Sequence, residues 1–288
     1  MYTQSLFVLT ERYLNPDEVA GQLRRIRLGN RIVPPPSEHW SRMTEGWSLR
    51  PQYCDDARLA IDSVAHPWPS DRLFNEHRSI FIAQKMGLFG PYVDGESWSR
   101  ARNGMDASFL DKVDTHEGFV RLRMSYRPHL DEERLSQRQL HLQALAYMIR
   151  AAYFILEHDM ALALFMPAAD RLMGPRDVWR AYDGAFGEMQ NLWTIWTRLY
   201  AQKSAIDGHS SIRVRGLRQV GAHDFDIDGG HLVPGVLRNA AEDLIKRAIE
   251  SGHPGPDSEI LTRYGLRDNT SHSDTSSTRV LALSCVAS

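Results

Sequence analysis

Apolar and polar residues follow one another along this chain in blocks that switch between a period of two and a period near 3.6. Residues 6–9 form a short apolar run and predict a strand. Asn15-Pro16-Asp17-Glu18 then predicts a helix start: Asn15 can cap, Pro16 suits the first helical position, and the two acids favour the positive helix end. Val19, Leu23 and Ile26 continue at helical spacing. The triple proline at Pro34, Pro35 and Pro36 fits neither a helix interior nor a central strand. It predicts a long connection, anchored by Trp40 and Trp47. Residues 57–65 (ARLAIDSVA) and 79–85 (SIFIAQK) read as strands, separated by the turn His66-Pro67-Trp68-Pro69. A helix is predicted over 96–113.

The next segment carries a clear two-residue period. In HEGFVRLRMSY, residues 116–126, Val120, Leu122, Met124 and Tyr126 alternate with Arg121, Arg123 and Ser125. This predicts a half-buried strand with its arginines facing water. A long helix follows over 131–157, then a strand over 160–165 and a short helix over 175–185. LWTIWTRLY, residues 192–200, is aromatic and β-branched and reads as a strand. Asp207-Gly208 predicts a turn. Short strands at 212–217 and 225–227 flank Gly221, and 234–249 is helical, stopped by Gly252 and Pro254.

These elements predict an α+β fold with mixed or mostly antiparallel sheets and helices packed on one side. Strand–helix–strand order occurs twice, which suggests two related α/β halves, 1–115 and 116–268, within one globular domain over 1–268. The Ser/Thr-rich stretch after Asp268 predicts a flexible tail over 269–288.

Composition narrows the function classes. The chain has 288 residues, of which 42% are hydrophobic and 24% charged, enough for a substantial core. A net charge of −2 gives no general attraction to nucleic acid or anionic lipid. The two cysteines, Cys54 and Cys285, support neither a disulfide framework nor a cysteine zinc site. No apolar run approaches membrane-spanning length, and no export signal is visible, so a cytoplasmic location is expected.

The candidate chemistry concentrates in VRGLRQVGAHDFDIDGGH, residues 214–231. Asp224, Asp226 and Asp228 with Gly229 resemble the start of a calcium loop, but its twelfth position is Gly235 rather than a bidentate glutamate. With His223 and His231 they form the candidate set for a divalent metal, and hence for a metal-dependent hydrolase. The competing reading is a strand with Phe225 and Ile227 inward and the aspartates outward. His116-Glu117 is a candidate acid–base pair, although adjacent strand residues point to opposite faces. Arg121, Arg123, Arg213 and Arg215 are candidates for binding an acidic partner, provided their strands neighbour each other. An exposed Trp193 and Trp196 would add a partner surface. No nucleotide-binding or nucleophile-elbow motif is present.

The ordered series of the opening strand and helix, HPWP, HEGFVRLRMSY, ALALFMPAADRLMGP, LWTIWTRLY and RVRGLRQVGAHDFDI resembles the bacterial family known as domain of unknown function 4261. The resemblance spans residues 6–265. It implies a bacterial cytoplasmic protein and a context near secretion and toxin loci, and it transfers no catalytic residue. The reading expected from the sequence is therefore a non-enzymatic protein-binding protein, immunity-like or secretion-associated, needing no cofactor. The metal-dependent hydrolase is the alternative.

Overall fold

The computed structural model describes residues 2–26, 30–32, 44–51, 57–90, 93–126, 134–185, 189–203, 210–230, 232–251, 258–264, 266–268 and 281–285. In chain order the first elements are β1 (Tyr2–Thr10), α1 (Pro16–Gln22), β2 (Asn30–Ile32), β3 (Gly46–Leu49), β4 (Arg58–Val64), α2 (Asp71–Glu76) and α3 (Arg78–Lys85). Next come α4 (Ser97–Arg102), α5 (Ala107–Val113), β5 (Gly118–Tyr126), α6 (Arg134–Ile155), β6 (Ala161–Met166), β7 (Arg171–Met173) and α7 (Pro175–Gly184). The last are α8 (Trp193–Trp196), β8 (Arg198–Lys203), β9 (Ser210–Arg215), β10 (Phe225–Asp228), α9 (Pro234–Ser251), α10 (Ser258–Tyr264), β11 (Leu266–Asp268) and β12 (Leu281–Cys285). The fold is α+β, as the alternating periods predict. Contacts group the chain into two compact units, 1–132 with 142–195 and 133–141 with 196–288. A division at 115/116 would separate β5 from the strands it pairs with.

The first unit is built on a seven-stranded sheet of order β2-β3-β4-β5-β1-β6-β7, antiparallel throughout. β1, which lies between β5 and β6, carries Leu6, Phe7, Val8 and Leu9 in sequence, and all four are fully buried. A continuous apolar run is what a strand covered on both faces requires. Phe7, Leu9, Val64, Phe119, Ala163 and Phe165 face an apolar cluster completed by Trp68, by Phe74 of α2, Ile80 and Ala83 of α3, Ala101 of α4 and Val113 of α5. Leu6, Val8, Ile61, Val120 and Leu122 alternate with these and are equally buried. α1 begins at the predicted cap: the Asn15 side chain accepts from the Asp17 and Glu18 N–H groups, and the Glu18 carboxylate accepts from the Asn15 N–H.

The second unit holds a five-stranded sheet of order β11-β12-β10-β9-β8. Its pairs are antiparallel except β10 with β12. α9 runs against β8 and β9. Its stripe of Leu237, Ala240, Ala241, Leu244, Ile245 and Ala248 is buried, as are Ile212, Val214, Phe225 and Ile227 on one face of the sheet. Gly229 leads into α9, and a Cβ there would stand 2.8 Å from the Leu237 side chain.

Several local expectations are corrected. SIFIAQK lies in α3, because Ile80 and Ala83 are three residues apart and reach the core together, whereas Phe81 and Ile82 point outward. LWTIWTRLY is split: Leu192, Ile195 and Trp196 follow a helical spacing into the core, and the strand begins only at Arg198. The helix expected over 96–113 is two helices, broken at Gly104, which adopts φ +75°, and restarted where Asp106 caps α5. The tail expected over 269–288 ends in apolar residues that by sequence either dock or hang free. Here that uncharged, proline-free stretch is β12, paired with both β10 and β11. Trp40, Cys54, the Asp207-Gly208 turn and His231 lie outside the described residues.

Candidate functional site

The segment singled out in the sequence, 214–231, is held by its own side chains. β9 ends at Gly216, which adopts φ +104°, and a single 3-10 turn follows at Leu217–Val220. Gly221 closes that turn at φ +74°. Both glycines occupy backbone regions that side chains disfavour. Asp224 organises the turn. Its carboxylate accepts the Leu217 N–H at 2.9 Å and pairs with Arg218 at 3.2 Å. Asp224 is only 3% exposed. Burial pushes its carboxyl up to about 6, against the opposing pull of Arg218, Arg215 and the Leu217 and Gly216 N–H groups.

The folded-state value therefore lies above the ordinary 3.8. The stability contribution of this group is present below that ordinary value and is lost as pH rises through about 6. A carbon-13 carboxyl titration of the folded protein will show Asp224 with a midpoint near 6. A midpoint at or below its ordinary value would contradict the burial assigned to it.

The other two aspartates are engaged elsewhere. Asp226 lies opposite Arg213 in the β9–β10 register, 3.5 Å from its Nε, and takes Arg215 at 2.6 Å. Asp228 is exposed and accepts the Gly230 N–H at 3.1 Å. His223 is half-buried. Among the described residues no three histidine, cysteine or acidic side chains come together as a metal could require. The candidate metal set Asp224, Asp226, Asp228, His223 and His231 thus resolves, over its described members, into a capped turn and a salt-bridged sheet face. The physical reason is charge: the arginines of the same segment take the carboxylates.

The candidate binding residues divide. Arg121 and Arg123 lie on β5 of the seven-stranded sheet, and Arg213 and Arg215 on β9 of the five-stranded one, so their strands are not neighbours. Arg121 does not face water. Its side chain is 1% exposed and holds Asp62, its register neighbour on β4, through Nε at 3.0 Å and Nη2 at 2.5 Å. Arg123 is half-buried, and burial together with the charge of Arg121 lowers its pKa. Trp193 and Trp196 are core residues, 8% and 1% exposed, and offer no partner surface. His116 spends both ring nitrogens on backbone: Nε2 accepts the Trp68 N–H at 2.8 Å and Nδ1 donates to the Val113 carbonyl at 2.6 Å. Burial lowers its pKa. Glu117 is exposed, so the two residues form no acid–base pair.

One surface escaped the sequence reading. On α3 and its C-cap, Phe81 (51% exposed), Ile82 (39%) and Met86 (57%) stand in water, and Leu73 of α2 adds a fourth exposed apolar side chain at 46%. Lys85 lies over the Phe81 ring at 5.3 Å, and Arg78 is exposed on the same helix. The signal was present as an excess of large apolar residues over what one face of an eight-residue helix can bury. No helix among the described residues is long and apolar enough to cross a membrane.

Comparison with family models, with curated proteins and with solved structures finds no match, so the function rests on these surfaces alone.

Proposed function

We propose that this chain is a non-enzymatic protein-binding protein of the cytoplasm that docks a partner through the ridge of Phe81, Ile82 and Met86 on α3. The observation that carries this reading is the exposure of those side chains beside a well-filled core. Burying a large apolar side chain is favourable by about 1.5–3 kcal/mol, and neighbouring exposed apolar residues rimmed by charge mark interaction surfaces. Arg78 and Lys85 supply that rim. Aromatic and methionine side chains are also the residues enriched at interface centres. An escort or immunity-like role, the role consistent with the resemblance noted above, needs such a surface and no catalytic set.

The test compares wild type with Phe81→Asp in pull-downs from the native host. The wild type will retain one protein in stoichiometric amount, and Phe81→Asp will lose at least about tenfold of it, as truncation of an interface anchor does. Phe81 is half exposed, so the variant will keep its circular dichroism spectrum and unfolding midpoint. Equal retention by both proteins would remove the ridge as the docking site.

A further inference from the structure

The ridge on α3 carries charge as well as apolar surface, and the charge is of one sign. α3 reads RSIFIAQK and holds no acidic residue. Arg78 and Lys85 are both exposed on it. Elsewhere in the first unit arginines meet carboxylates: Arg72 meets Glu76, Arg100 meets Asp94, Arg102 meets Asp114 and Arg121 meets Asp62. Among the described residues Arg78 and Lys85 meet none. Lys85 lies over the Phe81 ring, and a ring face attracts a cation without neutralising it. Seven residues make almost two full helical turns, so the two cations stand in one line about 10 Å apart. Phe81 and Ile82 fall between them along the axis, one to each side of that line. The exposed face is therefore an apolar centre with a cation at each end.

We infer, resting on the ridge as the docking surface proposed above, that its occupant is an amphipathic helix of a protein partner with the pattern acid-x-x-apolar-apolar-x-x-acid. Residues i, i+3, i+4 and i+7 share one face of a helix. Such a segment sets two carboxylates about 10 Å apart, with two apolar side chains between them. That is the complement of Arg78, Phe81, Ile82 and Lys85. An extended segment fails, because residues three apart, which would span that distance, point to opposite faces of a strand. A second copy of this chain fails as well. Pairing α3 with α3 in either direction sets cation against cation, with no acid on the helix to relieve it. A bilayer fits less well: helices that lie in a membrane surface separate their basic side from their apolar side, whereas here both share one face.

Fluorescence anisotropy tests it, with the full chain and a labelled, hydrocarbon-stapled helical peptide that carries glutamate at i and i+7 and leucine at i+3 and i+4. Replacing both glutamates by glutamine will weaken binding about fivefold. Raising salt from about 50 to about 300 mM will remove most of that difference, since exposed charges are screened over that range. Phe81→Asp will lose at least about tenfold in affinity, which places the peptide on the ridge. Arg78→Glu combined with Lys85→Glu will reverse the preference: that variant will bind a peptide with lysine in place of both glutamates more tightly than the glutamate peptide. Damage to the fold cannot produce such a reversal. No binding of the glutamate peptide, equal affinity for the glutamine peptide, or an unreversed preference in the double variant would overturn the inference and leave the ridge itself standing. Attachment to phosphatidylserine vesicles that the glutamate peptide does not displace would overturn it in favour of a membrane. Equal retention of the host partner by wild type and Phe81→Asp would remove the ridge, and this occupant with it.

Discussion

Asp62→Ala will destabilise the protein by about 3–5 kcal/mol, because it strands a buried cation. The carboxylate of Asp62 and the guanidinium of Arg121 are each 1% exposed. They meet across the β4–β5 register through two contacts. The same carboxylate accepts the N–H and the hydroxyl of Thr44, at 2.9 and 3.0 Å. Alanine removes all of these acceptors and leaves Arg121 beside Arg123, whose pKa that neighbouring charge already lowers. Replacing a buried ion pair by apolar residues of similar volume is near neutral. Asp62→Leu combined with Arg121→Met will therefore recover most of the loss. Urea unfolding followed by circular dichroism measures both. A loss below about 1 kcal/mol for Asp62→Ala would mean that water reaches the pair.

Trp68→Ala will have an effect of similar size, about 3–5 kcal/mol, for a different reason. The ring is the hub of an aromatic cluster, with centroids 4.7 Å from Phe7, 4.8 Å from Phe165, 5.2 Å from Phe89 and 5.7 Å from Phe119. Those rings come from β1, β5, β6 and the loop after α3, which have few other ways to close on an empty space. Alanine keeps the backbone N–H that His116 accepts, so the loss isolates the cavity. Trp98 is only partly buried, and Trp98→Ala will lose visibly less. Equal losses in the two variants would show that the cluster has no centre at Trp68.

Much of this architecture is legible in the residues themselves. The capped start of α1, the strands β1, β5 and β6, and the helices α6, α7 and α9 all follow from period and capping chemistry. The failures share a cause. β5 alternates arginine with apolar residues as an edge-facing strand does, yet it lies between β4 and β1 with both faces covered. A partner distant in sequence, Asp62, holds the buried Arg121. SIFIAQK has strand composition, and its helical state depends on which two of its apolar residues reach the core. That same sorting leaves Phe81 and Ile82 outside, so the ridge could be found only after the helix was placed. The aspartates of 224–228 show metal-loop spacing, but spacing does not reveal that Arg215 and Arg218 reach them first.

The position of β1 between β5 and β6 has a consequence for how the chain is made. Residues 2–10 are translated ahead of both strands that pair with them, at 118–126 and 161–166. At 5–20 residues per second, the roughly 150 residues separating β1 from β6 occupy a ribosome for about 8–30 s. Until 118–126 has been made the run Leu6-Phe7-Val8-Leu9 has neither of its ladders, and the ladder with β6 waits longer still. A nascent chain with this order depends on a chaperone's grip more than a fold whose paired strands follow one another closely in sequence.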